Sequence, residues 1–535
     1  MLAGCTPWPD ETAEQYRQQG IWRGEPLGML LTQAVERDRD AIALVHDERR
    51  ITYGELDDWV NRLAAGFAHH GIAAGERVVV QLPNTPEFVA IIFALMRVDA
   101  KPVFSLIAHR DTEVDHLVRL SGATHYIFPE AHRGYDHRAL AARIGAGNAL
   151  LRTLFVVGEA LGDMVAVDAL AGADDWTPPP VDPSDVAFFL LSGGTTALPK
   201  LIPRTHDDYV YQVRQTSAVC ELGKTDVYLT ALPIEFNFTW GCPGVIGILA
   251  AGGTVVMVDN PSPTLGMPLV ERERVTITSL VPSALTLWLE AAEWTPSDLS
   301  SLRLLQVGSA KLSPAMAARV TPALGCDLQQ VFGMAEGLLC LVRADAPQEV
   351  KLSTQGLAIS PADEIRIMDG DELVPEGMIG ELVTRGPYTI RGYYQAPEHN
   401  ARAFTADGFY RSGDLARLTP GGELVIEGRI KDVIIRGGDK INAAEIEEYL
   451  LADDTVTAAA VVGMPDELFG ERSCAFIVPA EVAPTLAHLR SSLHARGVAD
   501  YKLPDEIRIV TELPLTPLGK IDKKALARTG EVVPS

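Results

Sequence analysis

The chain has little positive charge and lacks a long uninterrupted apolar run. Lys and Arg number 46 against 71 Asp and Glu, which gives a net charge of −25 at pH 7. Because clustered Lys and Arg hold the phosphate backbones of nucleic acids, this balance excludes a nucleic-acid partner. The longest apolar stretch, residues 245–258, is interrupted by glycines and is shorter than the roughly 20 residues that cross a bilayer. We therefore predict no membrane association.

Cysteine is also scarce. Six cysteines are spread along the chain without a close pair, at positions 5, 220, 242, 326, 340 and 474. This spacing fits neither a disulfide framework nor a zinc site, and a cytoplasmic location is expected. A composition with 47% hydrophobic residues, 46 Gly and 35 Pro is typical of a folded protein rich in turns. At 535 residues the chain is too long for one core and should form several packed units.

The first 360 residues alternate between strand and helix patterns. Residues 51–71 have apolar side chains at helical spacing, residues 77–82 form a β-branched run, and residues 87–98 form a second apolar helix. Further apolar strands are predicted at residues 154–157, 186–191 and 254–258. This recurrence predicts the α/β class, with parallel sheets covered by helices on both faces.

From about residue 361 the pattern changes to short strands separated by turn residues, at 364–367, 380–383 and 422–426. These strands predict a smaller, barrel-like β lobe. Beyond Arg429, a strand at 433–435 and a helix at 443–451 predict a compact α+β unit. We therefore expect an N-terminal core over 1–429, with two α/β lobes and the β lobe, and a small mobile C-terminal domain over 430–535. The expected hinge is near Lys431.

A loop rich in Gly, Ser and Thr follows the apolar strand at 186–191. Glycine has no Cβ, so main-chain N–H groups can approach phosphate oxygens, while hydroxyls and a lysine add hydrogen bonds and charge. An ordinary surface loop explains such a sequence equally well when it is taken alone. The loop is not a Walker loop, because it does not end in Gly-Lys-Ser/Thr. The candidate phosphate-binding residues are Ser192, Gly193, Gly194, Thr195, Thr196 and Lys200.

Four further segments follow this loop, at residues 331–337, 410–414, 428–432 and 514–522. They read VFGMAEG, YRSGD, GRIKD and PLTPLGKID. With these segments in this order, nearly the whole chain resembles the adenylate-forming superfamily of acyl-CoA synthetases, peptide-synthetase adenylation domains and luciferases. The resemblance implies the superfamily fold, with ATP as a substrate and Mg²⁺ as its metal.

The resemblance also implies a role for each segment. Glu336 would help to hold Mg²⁺, Asp414 would receive the ribose hydroxyls, Arg429 would reach the nucleotide, and Lys431 would be the pivot between domains. Lys520 would be the catalytic lysine, which with Thr196 and Mg²⁺ offsets negative charge at the α-phosphorus. Taken alone, such carboxylates and lysines are more often solvated surface groups. The remaining residues implied to border the nucleotide are Gly308, Val331, Phe332 and Gly333.

Residues 232–244, which read LPIEFNFTWGCPG, indicate which carboxylic acid is the substrate. Along its length the chain most resembles siderophore-type aryl-acid ligases, which implies that Asn237 bonds the ortho hydroxyl of the ring and that Phe238 lies against its face. No acidic residue is placed to receive an amino group, as α-amino-acid adenylation domains require. The implied aryl-acid site contains Asn237, Phe238, Cys242, Gly308, Ser309, Val331 and Leu339.

Within that group, Cys242 and Leu339 resemble the salicylate type, whereas enzymes for 2,3-dihydroxybenzoate tend to carry Ser and Val. A thiol is a weaker hydrogen-bond partner than a hydroxyl, and the extra methylene of Leu339 can fill the space of a missing 3-hydroxyl. Two departures stand out. Phe236 replaces a family His, and Trp240-Gly241 replaces a more conservative pair. We interpret Trp240 as core, and we hypothesise that Gly241 widens the site for a ring-substituted salicylate.

The resemblance implies two half-reactions, in which the acid is first adenylated by ATP and then passed to a thiol. The expected thiol is the phosphopantetheine of a separate aryl carrier protein of a nonribosomal peptide or hybrid synthetase. Activation of 2,3-dihydroxybenzoate, transfer to free coenzyme A, a luciferase-like oxygenase and a non-catalytic binding protein remain alternatives. Rotation of the C-terminal domain would bring the Gly437-Gly438 region towards the thiol. His206 is interpreted as structural, because Thr205 can cap a helix there.

Overall fold

The computed structural model describes residues 1–170, 176–192, 198–436, 439–466, 469–496, 498, 500–516 and 519–530. The chain forms two compact units. The first unit contains Met1–Leu352, Gly356–Glu364 and Thr384–Tyr410, and the second contains Ser353–Gln355, Ile365–Val383 and Arg411–Ser535. The boundary between residues 429 and 430 was predicted as the hinge about which the C-terminal domain rotates, and it stays a prediction.

The first unit is built on two large sheets whose central strands are parallel and whose edges include antiparallel pairs. The nine-stranded sheet has the spatial order Leu357–Ala358, Gly337–Leu341, Asp327–Met334, Leu304–Gly308, Ile277–Leu280, Val227–Thr230, Thr254–Met257, Ile42–His46 and Arg49–Thr52. The seven-stranded sheet has the order Leu201–Thr205, Val186–Leu191, Lys101–Phe104, Arg77–Val80, His125–Pro129, Thr153–Val157 and Val165–Ala166. A small hairpin joins Ala131–His132 to Tyr135–Asp136.

Helices cover both faces of the seven-stranded sheet, as the alternation along strand Arg77–Val80 shows. Val78 and Val80 pack into one hydrophobic cluster with helix Pro86–Arg97, while Val79 packs into another with helix Asp111–Ser121. The α/β prediction is confirmed. The other helices are Asp10–Gln18, Met29–Arg37, Tyr53–His69, His137–Gly147, Val167–Ala169 (a 3₁₀ turn), His206–Val219, Asn237–Gly241, Gly244–Ala251, Pro263–Glu273, Pro282–Ala291, Pro314–Leu324, Gln348–Ser353 and Pro397–Ala403.

Local signals explain why the helix Tyr53–His69 begins where the sequence predicts. The Thr52 hydroxyl accepts the Glu55 N–H and the Glu55 carboxylate accepts the Thr52 N–H, a reciprocal cap in which the hydroxyl contributes about 1 kcal/mol. Leu56, Val60 and Leu63 are fully or almost fully buried on one face. None of the helices in the described part of the chain is long and apolar enough to span a membrane.

The second unit contains most of the predicted β lobe and the predicted α+β unit. The β lobe is a five-stranded sheet in the order Glu372–Leu373, Glu364–Asp369, Gly380–Arg385, Tyr410–Leu418 and Leu424–Arg429. Within the described residues its two edge strands, Glu372–Leu373 and Leu424–Arg429, do not pair with each other, so the sheet is open and is not a closed barrel. The α+β unit has strands Asp439–Asn442, Val433–Arg436, Gly470–Pro479, Val456–Asp466 and Glu506–Ile509, with helices Ala443–Leu451, Leu486–Ala495 and Lys523–Gly530 and 3₁₀ turns Ile430–Asp432 and Asp500–Lys502.

Candidate active site

The carboxyl end of strand Leu304–Gly308 brings several predicted residues together. Gly308 pairs in parallel register with Val331 on strand Asp327–Met334. A Cβ on Gly308 would lie 2.8 Å from the Val331 carbonyl oxygen and 3.3 Å from the Phe238 ring. The Val331 carbonyl therefore leaves no room for a side chain at position 308, and the Phe238 ring lies close to the same point. Ser309 follows directly, exposed and with a left-handed φ of 71°.

Strand Asp327–Met334 is followed by the antiparallel strand Gly337–Leu341, which contains Leu339. Gly333 lies opposite Leu339 in the register, and a Cβ on Gly333 would overlap the Leu339 side chain. Leu339 is buried, and its N–H donates to the Tyr388 hydroxyl at 3.2 Å. Phe332 lies between Val331 and Gly333 and is half-buried. Val331 and Leu339 therefore belong to the same buried apolar cluster.

Asn237 opens the short helix Asn237–Gly241 and is almost fully buried. Its amide nitrogen donates to the Met334 carbonyl at 3.2 Å. Its amide oxygen accepts from the Tyr209 hydroxyl at 2.8 Å and from Gln212 Nε2 at 3.1 Å. These bonds place the amide beside the end of strand Asp327–Met334, near the other predicted aryl-acid residues.

Cys242 lies next to the same amide network, with its Sγ 3.7 Å from Gln212 Nε2. Burial raises the pKa of the Cys242 thiol far above its usual range, so the group is neutral at pH 7. A neutral thiol in this position is a weak hydrogen-bond partner. It cannot replace the hydroxyl that a serine would supply.

The sequence prediction missed a buried ionic network behind Asn237. Arg204 and Asp208 are nearly solvent-free and form a salt bridge at 2.9 Å. Arg204 also donates to Gln212 Oε1 at 2.8 Å and to the Ala335 carbonyl at 3.1 Å. The four-residue spacing was the available sequence signal for Asp208 and Gln212, which share a face of helix His206–Val219, whereas Arg204 lies in the preceding strand.

The structure contradicts the hypothesis that Gly241 widens the site. A Cβ on Gly241 would overlap the Tyr209 phenol, so Tyr209 already fills the space that the missing side chain leaves. The wall is therefore closed at Gly241. The prediction for Trp240 is confirmed, because its indole is fully buried against Phe88 and Phe104 in edge-to-face contacts.

Ser192 and Lys200 bracket the predicted phosphate loop. The Ser192 N–H donates to the Lys200 carbonyl, and the Lys200 N–H donates to the Ser192 hydroxyl, both at 3.0 Å. The Lys200 ammonium lies 5.7 Å from the centre of the Tyr393 ring. Gly193, Gly194, Thr195 and Thr196 lie outside the described residues, so the phosphate-binding role of the loop stays a prediction.

Glu336 occupies the connection between strands Asp327–Met334 and Gly337–Leu341 and is 8% exposed. Its Oε1 accepts the Tyr393 hydroxyl at 2.7 Å, and Tyr393 also bonds the Tyr410 hydroxyl at 2.9 Å. In the described residues no group of three or more His, Cys, Asp or Glu side chains could hold a metal. Mg²⁺ usually takes one or two carboxylates together with phosphate oxygens, so the single carboxylate of Glu336 fits it only beside a nucleotide.

In the second unit, Asp414 and Arg429 face each other across strands Tyr410–Leu418 and Leu424–Arg429. Arg429 Nε donates to Asp414 Oδ1 at 2.8 Å. Burial raises the pKa of Asp414, whereas the positive charges of Arg429, Lys520 and Lys431 lower it. The charges that act in this cationic cluster are Arg429, Lys431, Lys520, Lys524, Asp414 and Asp432. Four of these six groups are cations.

A tight turn holds Lys520 in the cationic cluster. The Thr516 N–H donates to the Lys520 carbonyl at 2.7 Å, and the Lys520 N–H donates to the Thr516 hydroxyl at 3.2 Å. Gly519 takes a left-handed φ of 72°, which closes the turn without Cβ strain. Lys431 lies in the 3₁₀ turn Ile430–Asp432, and burial lowers the pKa of its ammonium. Its role as a pivot stays a prediction.

Two other predictions complete the list of candidate residues. Thr205 caps the helix His206–Val219 by accepting the Asp208 N–H at 3.1 Å, and the His206 Nδ1 accepts the Leu27 N–H. The structural interpretation of His206 is therefore confirmed. Gly437 and Gly438, expected to approach the thiol, lie outside the described residues.

Comparison with known proteins identifies the family. The model for AMP-binding enzymes matches residues 31–394, and that for the AMP-binding enzyme C-terminal domain matches residues 445–520. The chain is similar to the 2,3-dihydroxybenzoate-AMP ligase of Bacillus subtilis, with 50% identity over 98% of this chain and 97% of that protein. It is 44% identical to the salicyl-AMP ligase / salicyl-S-ArCP synthetase of Mycobacterium tuberculosis, over 98% of this chain and 94% of that protein.

The fold is also similar to a solved apo structure of Mycobacterium smegmatis MbtA. The TM-score is 0.77 and the sequence identity is 44%, over 98% of this chain and 99% of that one. The family matches cover both units, and the two ligases cover the chain almost from end to end. The chain therefore belongs to the AMP-binding enzyme family.

Proposed function

We propose that this protein activates salicylate with ATP and transfers the salicyl group to the phosphopantetheine thiol of an aryl carrier protein. The observation that carries the proposal is the convergence of Asn237, Phe238, Val331 and Leu339 at one strand end. The similar ligases of B. subtilis and M. tuberculosis, named for 2-hydroxybenzoates, support the same substrate class.

An aryl acid suits this set of side chains. Phe238 offers an aromatic face, Val331 and Leu339 offer an apolar wall, and Asn237 offers one neutral amide for a ring substituent. A charged ammonium group would need a carboxylate in place of that amide. The acid is therefore expected to be uncharged apart from its own carboxylate.

Salicylate is favoured over 2,3-dihydroxybenzoate for two reasons. The neutral Cys242 thiol is a poor partner for a 3-hydroxyl, and the Leu339 side chain takes up space that such a hydroxyl would need. One methylene discriminates by only about 1–3 kcal/mol, so activity with 2,3-dihydroxybenzoate is expected at a lower level. Because the Tyr209 phenol fills the space beside Gly241, that position offers no room for a further ring substituent on salicylate.

In the first half-reaction a carboxylate oxygen of the acid forms a bond to the α-phosphorus, and the bond to the pyrophosphate oxygen breaks. Lys520 offsets the negative charge that develops on the phosphoryl oxygens, and the Asp414 carboxylate accepts the ribose hydroxyls. Bound Mg²⁺ supplies further charge neutralisation, and Glu336 would hold it. In the second half-reaction the thiol sulfur attacks the acyl carbon and AMP leaves.

Acid-dependent exchange of labelled pyrophosphate into ATP tests the first half-reaction. Benzoate, salicylate, 2,3-dihydroxybenzoate, anthranilate and 6-methylsalicylate form the panel, and Lys520→Ala is the control. The strongest exchange is expected with salicylate, and the exchange should be lost in the variant. Exchange with none of these acids would overturn the proposal.

The acceptor is tested separately, with labelled salicylate and either a phosphopantetheinylated aryl carrier protein or free coenzyme A. Mass spectrometry of the thioester products then reports the preferred thiol. Rapid loading of the carrier protein is expected. Faster formation of salicyl-coenzyme A would instead identify a coenzyme A ligase.

A further inference from the structure

The Asn237 amide can adopt two orientations that present different chemistry to a ligand. With its oxygen towards the acid it would accept a hydrogen bond, and with its nitrogen towards the acid it would donate one. Hydrogen-bond partners decide between such orientations. A chain of buried residues around Asn237 supplies those partners.

The chain of residues begins at the Asp208–Arg204 salt bridge. A guanidinium group has donors and no acceptor, so the oxygen of the Gln212 amide must face Arg204. The nitrogen of Gln212 then faces the Gly241 carbonyl at 2.9 Å, which can only accept. Both ends of Gln212 therefore require the same orientation.

This orientation fixes Asn237 in turn. Gln212 Nε2 donates to the oxygen of Asn237, and the Tyr209 hydroxyl donates to the same atom. The Met334 carbonyl, an acceptor, lies 3.2 Å from the nitrogen of Asn237. Turning the Asn237 amide over would break these bonds and place two oxygens against each other at Met334.

We infer that Gln212 and Tyr209 are positioning residues that commit Asn237 to act as a hydrogen-bond donor, so that the site requires an acceptor at the ortho position of the acid. This inference rests on the proposed function. Asn237 has two amino hydrogens, and Met334 takes one of them; the described residues supply no partner for the other.

The inference separates two acids of similar size. The phenol of salicylate donates its hydrogen to the neighbouring carboxylate, which leaves the phenol oxygen free to accept from Asn237. The amino group of anthranilate is mainly a donor and would face the Asn237 N–H without forming a bond. Salicylate is therefore preferred over anthranilate because its ortho oxygen can accept the hydrogen bond that Asn237 donates.

The ratio of kcat/KM for salicylate to that for anthranilate, measured by pyrophosphate exchange, tests the inference. In Gln212→Glu an acceptor replaces the donor next to Asn237, so the amide turns over and the ratio should fall about 30-fold, the equivalent of two hydrogen bonds. In Gln212→Met the Asn237 amide keeps its bonds to Tyr209 and Met334 but loses the donor at Gln212, and the ratio should fall about tenfold. A ratio that stays at the wild-type value in either active variant would overturn the inference.

Gln81→Met is the matched control, because Gln81 is also a fully buried amide that donates to two carbonyls, those of Leu106 and His109. Its ratio should equal that of the wild type, since a general loss of folded protein lowers both rates equally. If Gln212→Glu does not fold, Tyr209→Phe provides the test, with a fall of about threefold expected. Failure of the wild type to activate any aryl acid would instead reject the proposed function.

Discussion

The aryl-acid region of the first unit and the cationic cluster of the second unit balance their polar groups in opposite ways. Around Asn237, hydrogen bonds pair the Gln212 amide with Arg204 and with Asn237, and the Arg204 charge is matched by Asp208. Around Asp414, cations outnumber carboxylates, and the side chain of Arg429 is 43% exposed. The Arg204 charge in the first region thus has a buried partner, whereas the cations named in the second region outnumber the carboxylates.

This difference indicates a division of labour. A buried hydrogen-bond network costs free energy when a ligand leaves one of its groups unpaired, so it discriminates between acids. A cluster of cations does not distinguish one ring substituent from another, but it attracts and stabilises phosphate oxygens. Variants in the first region should change which acid is used, and variants in the second should change the rate for every acid.

The largest effect is expected for Lys520→Ala. Loss of a charge aimed at the developing phosphoryl charge should lower pyrophosphate exchange by about 10²- to 10³-fold for all acids. Transfer of salicyl from preformed salicyl-adenylate to the carrier protein should stay close to the wild-type rate. Lys502→Ala is the control, because it removes a lysine of the same unit that pairs with Glu445 at the surface. Equal losses in both half-reactions would contradict the assignment.

A smaller effect, on stability, is expected for Glu235→Gln. Burial raises the pKa of the Glu235 carboxyl to about 7 in the folded protein, above its usual 4.5. The folded state then holds a proton that the unfolded chain releases, so stability is lost as pH rises from 4.5 to 7. Relative to the wild type, the variant should gain about 2 kcal/mol between pH 5.5 and pH 8 in urea unfolding. Parallel pH profiles of the two proteins would show that the Glu235 pKa is not raised.

Gly241→Ala should change the stability of the folded protein by a comparable amount, but through steric overlap and in the destabilising direction. The new methyl group would overlap the Tyr209 phenol and push it away from Asn237, at a cost of about 1–3 kcal/mol from overpacking. The salicylate-to-benzoate ratio should fall together with the thermal midpoint. Ala65→Gly provides a control for alanine–glycine exchange in a buried helix of the same unit. An unchanged midpoint and ratio would mean that Tyr209 does not hold the amide.

The smallest effect is expected for Leu339→Val, which sharpens the comparison within the aryl-acid region. Removing one methylene should raise kcat/KM for 2,3-dihydroxybenzoate relative to salicylate by about fivefold, near 1 kcal/mol. Val331→Ala, a truncation on the same wall, should lower both activities together. A shift towards salicylate in Leu339→Val would contradict the packing argument.

Local signals made the fold predictable from the sequence. The helix Ala443–Leu451 has the predicted bounds, because Asn442 caps its first turn by accepting the Ala444 N–H. The strand Val186–Leu191 also has its predicted bounds, as a continuous apolar run. Such signals lie within a few residues of the element that they define.

The arrangement around the candidate site was less predictable, because its contacts join distant segments. Tyr209 and Asn237 are 28 residues apart, and Tyr393 and Glu336 are 57 residues apart. The hypothesis about Gly241 was wrong for this reason, since the sequence did not indicate that Tyr209 fills the space beside it. A missing side chain predicts a cavity only when the neighbouring residues are known.

The salicylate-to-benzoate ratio of kcat/KM in the wild type and in Asn237→Ala tests the central claim most directly. If Asn237 donates to the ortho oxygen, the wild type should prefer salicylate by about tenfold or more, and the variant should accept both acids about equally. Exchange with benzoate should survive in the variant, because the cationic cluster is unchanged. A variant that keeps the wild-type preference would show that another group reads the ortho position and would contradict the account.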